Sequence, residues 1–210
     1  MKFKFTTLFI LAILFFGCAV NAGFSIRQKE KMLQNNLRKW ENYRLDGIVE
    51  MNYKQFSFRK NIVVRKNITA FRFDIFDSGI MGLRPTPFIS AYIDSIIVLR
   101  LPNQKETLKM EFSDEKKETA FFNFLKNYEA IFARKEQILK SGKAEIDGSV
   151  FYFSPEMEIV KIITADFTIN FVYDNSQNPL RITLFSEKKK IAEIQIDKSS
   201  YQKPEIEPLK

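Results

Sequence analysis

The sequence predicts an α+β protein built on a single curved antiparallel β-sheet, a half-barrel, with helices covering its apolar concave face. Three observations predict it. From Leu45 onward apolar residues recur with period two over most of the chain, the pattern of half-buried antiparallel strands. Two stretches, 25–44 and 114–140, instead repeat their apolar residues at helical spacing. Of the 22 phenylalanines, 17 lie beyond residue 22, which implies either a thick core or an interior shaped to hold something apolar.

The elements follow in order. Residues 1–22 have a basic start (Lys2, Lys4), an apolar run over 6–17, then Cys18 and the small residues of 19–22. This is the layout of a secretory signal peptide, and the run is shorter than the ~20 apolar residues a bilayer span needs. Two processing routes stay open. Cleavage after Ala22 leaves a soluble chain starting at Gly23. Alternatively, Leu14–Cys18 (LFFGC) resembles a bacterial lipobox, in which Cys18 is lipidated and becomes the first residue. Phe15 and Phe16 are bulkier than usual there, but Cys18 is the only cysteine and follows Gly17 directly. Either route places the protein in the cell envelope, as a periplasm-facing outer-membrane lipoprotein or a soluble periplasmic protein.

Residues 23–198 read as one domain. In 25–44 Ser25 is placed to cap a helix whose apolar face carries Ile26, Met32, Leu33, Leu37 and Trp40. Strands are expected at 45–53, 55–64 and 67–77, where Phe71, Phe73 and Ile75 share one face and Arg72 and Asp74 the other. Residues 78–88 (SGIMGLRPTPF) form an apolar loop broken by glycines and prolines, which must tuck inward or meet a ligand or partner. A hairpin spans 96–101 and 106–112, and a second helix over 114–140 carries Phe121, Phe124, Leu125, Tyr128, Phe132 and Ile138. Strands resume at 150–153, 158–163, 165–173, 180–186 and 190–197, with Phe167, Ile169 and Phe171 on one face. Residues 199–210 lack periodicity and are expected to be a flexible tail. A sheet of about ten strands must curl unless it is flattened.

Composition narrows the chemistry. With Cys18 lost or lipidated no disulfide forms, so the fold stands on packing alone. Histidine is absent, which removes the commonest general base and metal ligand. The formal charge of +8 is spread along the chain, a pattern that favours solubility. No motif supports nucleic-acid binding, no cofactor or metal site is expected, and a monomer is anticipated. The best enzymatic motif is Phe76–Ile80 (FDSGI), which resembles an aspartic-protease loop with Asp77 as the acid. That chemistry needs two carboxylates about 3 Å apart, hence a dimer. Asp94-Ser95 is followed by Ile96, so the chain holds no second copy, and a non-enzyme is expected.

The order of helix, meander, helix and closing strands resembles the LolA/LolB-like superfamily of bacterial lipoprotein carriers and receptors. Residues 40–51 (WENYRLDGIVEM) are similar to its opening helix end and first strand. Residues 71–101 are similar to its strand, glycine-bearing apolar loop and next strands, and 181–196 to its closing hairpin. The resemblance implies a hydrophobic cavity that binds the acyl chains of a lipid or lipoprotein for transfer or outer-membrane insertion. It suggests Val49, Met51, Phe71, Phe73, Ile75, Phe167, Ile169 and Phe171 as its lining. It also implies an arginine at the cavity rim, for which Arg72 and Arg84 are the candidates. Ile80, Met81 and Leu83 would touch the membrane surface or a partner such as a lipoprotein carrier or export machinery. A second reading keeps the same residues as a filled core, in an envelope protein that binds other proteins and no lipid.

Overall fold

The computed structural model describes residues 23–54, 56–77, 86–102, 104, 106–111 and 128–209. The first helix, α1 (Ile26–Lys39), begins with a reciprocal cap. The Gln28 backbone N–H donates to the Ser25 hydroxyl (3.3 Å), and the Ser25 N–H donates to the Gln28 side-chain oxygen (2.8 Å). Arg38 and Lys39 sit at the negative end of the helix dipole. The helix stops there, short of the 44 its periodicity suggests. From Tyr43 the backbone pairs on both sides, Tyr43 opposite Lys66 and Arg44 opposite Ser200, and two ladders outweigh one helical turn.

Among the described residues twelve strands form one open sheet: β1 (Tyr43–Tyr53), β2 (Phe56–Lys66), β3 (Phe71–Phe76), β4 (Pro87–Ile93), β5 (Ile96–Arg100), β6 (Leu108–Glu111), β7 (Lys143–Ile146), β8 (Ser149–Phe153), β9 (Ile159–Ile163), β10 (Phe167–Tyr173), β11 (Pro179–Ser186) and β12 (Lys189–Ser200). Their order is β6-β5-β4-β3-β2-β1-β12-β11-β10-β9-β8-β7, antiparallel throughout. The first six strands thus form one wing and the last six the other, joined where β1 pairs β12. At that seam the register shifts between Asp46 and Gly47. A Cβ on Gly47 would lie 2.1 Å from the Gln195 carbonyl oxygen, so only glycine permits the approach. Two-residue turns close β7–β8 at Asp147-Gly148 and β11–β12 at Glu187-Lys188. All four residues have positive φ (48°, 75°, 49° and 66°), as type I′ hairpins require.

Three further elements depart from expectation. Strand β4 starts inside the stretch read as a loop. Pro87 opens it beside a register shift at Ile75/Phe76, where a proline costs no ladder bond. Strand β7 is only four residues long and starts directly after the left-handed cap at Gly142, too short to show a period. The second helical stretch, where described, is two short helices, α2 (Tyr128–Phe132) and α3 (Lys135–Ser141), separated by a turn at 133–134.

The apolar side chains fall into three groups. Under the helices, Leu33 and Leu37 of α1, Ile131 of α2 and Ile138 of α3 close on Phe151, Ile162 and Ile169 of the β7–β12 wing. On the same face of the other wing and the seam, Tyr43, Leu45, Val49, Ile62, Val64, Ile75 and Ile196 form a second group. Ile182 touches both groups. The third lies on the opposite, outer face: Ala70, Tyr92 and Val98, with Ile96, Ile206 and Leu209 packed on them. The tail is therefore seated where a loose segment is expected. Ser199 and Ser200 finish β12, and Ile206 and Leu209 find apolar cover on the outer face.

Candidate functional site

The buried apolar side chains of all three described helices belong to the first group, so these helices shield the β7–β12 wing. The inner face of the β1–β6 wing is the candidate site. Strand alternation directs Phe58, Lys60, Ile62, Val64 and Lys66 of β2 to this face, and Phe71, Phe73 and Ile75 of β3 beside them. Its floor is closed: Val49, Ile62, Val64 and Ile75 are all buried. Its walls are open. Phe58, Phe71, Phe73, Phe88 and Ile89 are only half-buried, and at the sheet edge Leu108 and Met110 are 45% and 48% exposed. In register Leu108 faces Leu99 and Met110 faces Ile97, which continues the inner apolar face to that edge.

The rings line the trough in pairs. Phe71 and Phe73 meet edge-on with centroids 6.3 Å apart, and Phe58 and Phe88 do so at 5.7 Å. Lys60 stands at one end of the trough. Its ammonium lies 4.4 Å from the Phe88 ring centroid and pairs with Asp77, which is itself largely exposed at the end of β3. Lys66 stands at the other end, buried, donating to the Glu41 carbonyl at 3.2 Å. Burial lowers its pKa to about 8, with Glu41 opposing the shift.

Trp40, just past α1, sits where the two wings meet. It packs edge-on against Tyr43 (5.2 Å) and Phe171 (5.6 Å). Beside it a narrow cleft is lined by Asn36, Lys39, Glu158, Tyr173 and Tyr201. The Asn36 amide donates to the Glu156 carbonyl at 2.9 Å, and the Tyr173 hydroxyl to that of Ile159 at 2.7 Å. Glu158 is buried with one carboxylate oxygen unpaired. Burial pushes its pKa up, partly offset by Lys39.

The expected lining residues divide between the wings. Phe71, Phe73, Ile75 and Val49 share the trough and its floor, and the half-buried Met51 lies further along β1, opposite Phe58 in register. Ile169 is buried under the helices with Phe171 packed against the same group, and Phe167 is 41% exposed at the start of β10. Arg72 points to the other face, away from the trough rim. Its guanidinium grips Asp74 (2.8 Å) and donates to the Glu207 carbonyl of the tail (2.7 Å). Alternation alone puts Arg72 opposite Phe71 and Phe73; among the described residues the inner-face cations of β2 are Lys60 and Lys66, which in sequence look like any surface lysines. Cys18, Ile80, Met81, Leu83 and Arg84 lie outside the described residues, as do Phe121, Phe124 and Leu125. Among the described residues no cluster of carboxylates could hold a metal ion, and no helix is long and apolar enough to cross a membrane.

No protein-family model matches the chain, and none of the curated proteins does. Solved structures do. One is described as an outer membrane lipoprotein-sorting protein domain from Vibrio parahaemolyticus, with 10% identity, TM-score 0.48, and 84% of this chain and 93% of that one covered. The Pseudomonas aeruginosa MucA/MucB complex matches at 12% identity and TM-score 0.36, over 84% of this chain and 58% of that one. The Mycobacterium tuberculosis lipoprotein LppX matches at 12% and 0.32, over 87% and 99%. The functional reading rests on this chain's own residues.

Proposed function

We propose that the protein binds acyl chains of a lipid or lipoprotein in the cell envelope, along the inner face of the β1–β6 wing. One observation carries the reading. Large apolar side chains (Phe71, Phe73, Leu108, Met110) continue the core face of the sheet into a region that the described helices do not shield. Flexible hydrocarbon suits such a surface, because its binding depends on buried area and not on directed polar contacts. Lys60 at the end of the trough offers an ammonium to an anionic head group, with Phe88 beneath it. Transfer between membranes, with Ile80, Met81 and Leu83 at the bilayer or a partner, and anchoring through Cys18 belong to the same proposal.

The test is an intact mass of the full-length gene product purified from a bacterial host, with lipid extraction of the same sample. The reading expects co-purifying lipid. A mass starting at Cys18 plus a diacylglyceryl group makes the protein a membrane-anchored receptor, and one starting at Gly23 makes it a soluble carrier. The absence of both bound lipid and saturable uptake of a fluorescent fatty acid would sink the reading in favour of an envelope protein that binds other proteins.

A further inference from the structure

We infer that residues 201–209 are a releasable strap whose seating sets how far the β3–β5 part of the trough opens. The strap links the two faces of the sheet. Tyr201 packs with the inner-face group, its ring 5.9 Å from the Lys39 ammonium at the end of α1. Ile206 and Leu209 pack on the outer face, against Ala70, Tyr92, Ile96 and Val98. Those outer contacts belong to β4, β5 and the residue preceding β3. On their other face the same strands carry trough residues Phe71, Phe73, Ile75 and Ile89. The tail thus starts beside the seam strand β12 and ends on the back of the strands that form the trough wall.

Its fastening is specific yet light. Arg72 donates to the Glu207 carbonyl at 2.7 Å, and the guanidinium is aimed by Asp74. Asp74 is 1% exposed and also takes bonds from Arg65 (2.7 Å) and the Ser90 hydroxyl (2.7 Å), one on β2 and one on β4. Arg72 is therefore a positioning residue for the strap, braced by two neighbouring strands. The strap itself joins no ladder: Pro204 and Pro208 lack the N–H a ladder needs and favour an extended chain. At the far end of the strap, two apolar side chains and the hydrogen bond from Arg72 can let go without unfolding the sheet. Wall strands tied to the seam only through β2 then gain freedom to swing.

This inference rests on the acyl-chain reading, and the experiment separates the two. The full chain is compared with the Ile206→Ser/Leu209→Ser variant, whose changes leave the sheet untouched, and with Arg72→Gln. Hydrogen–deuterium exchange is followed, together with the uptake rate of 11-(dansylamino)undecanoic acid. The expected result is roughly tenfold faster exchange in β3–β5 with β8–β10 unchanged, and several-fold faster probe uptake. Exchange that rises only in 201–209, or unaltered uptake by a chain that does bind the probe, overturns the strap. Faster β3–β5 exchange in a chain that never binds the probe keeps the structural strap and overturns the acyl-chain reading.

Discussion

The two wings of the sheet use the same pattern to different ends. In the β7–β12 wing the inner face meets Leu33, Leu37, Ile131 and Ile138, each at most 1% exposed, and the interior is filled. In the β1–β6 wing an equally apolar face keeps its phenylalanines half-buried and its edge leucine and methionine exposed. Alternation therefore tells which side of a strand is apolar, but not whether a helix or a ligand covers it. The covered wing is scaffold, and the acyl-chain proposal places binding on the wing that the described helices leave unshielded.

The sharpest way to break this contrast is truncation on each side. Phe151→Ala, in the filled wing, should cost about 3–5 kcal/mol of stability in urea unfolding. Phe73→Ala, in the trough, should cost under about 1.5 kcal/mol yet weaken fatty-acid binding several-fold. Equal stability losses would make the trough ordinary core. Next comes Asp74→Asn, with an expected loss of about 3 kcal/mol at neutral pH, since Arg65 and Arg72 would be left without their buried anion. Burial opposes ionisation of Asp74, but hydrogen bonds from Arg72, Ser90 and Arg65 outweigh it and hold its pKa below the usual value. Its contribution is therefore present above about pH 4 and fades as pH falls through the folded-state pKa. Thermal melts of the two proteins should converge in acid, and a constant gap would contradict the assignment. Gly47→Ala tests the seam that joins the wings. The clash with Gln195 should cost about 2–3 kcal/mol and lower the denaturation midpoint for both wings together. The smallest effect is expected at Ser25→Ala, which removes the cap of the helix covering only one wing. About 1 kcal/mol should be lost, with fatty-acid affinity unchanged.

The architecture was largely legible because long alternating runs admit few other folds. The α1 cap, the strands flanking the 174–178 turn and the aromatic face of β3 could all be read from residue order. What stayed hidden depends on tertiary partners. Strand β4 hid behind Pro87, and β7 was too brief for a period to register. The anchoring of Ile206 and Leu209 needs an apolar patch on the outer face that no local pattern announces. At the site, alternation identified Phe71, Phe73 and Ile75 and by the same logic puts Arg72 on the other face. Lys60 went unnoticed because an isolated lysine beside Arg59 reads as solvent-facing until the register of β2 is known.

The most direct measurement uses Trp40, the only tryptophan in the chain, which stands at the junction of the wings beside Tyr43 and Phe171. Its fluorescence is titrated with 9,10-dibromostearic acid, whose bromines quench indole only at close range. The account predicts saturable quenching near one equivalent, reversed by unbrominated stearate and weakened in Phe73→Ala. Fluorescence that stays constant, or falls without saturating, would contradict acyl-chain binding in the trough.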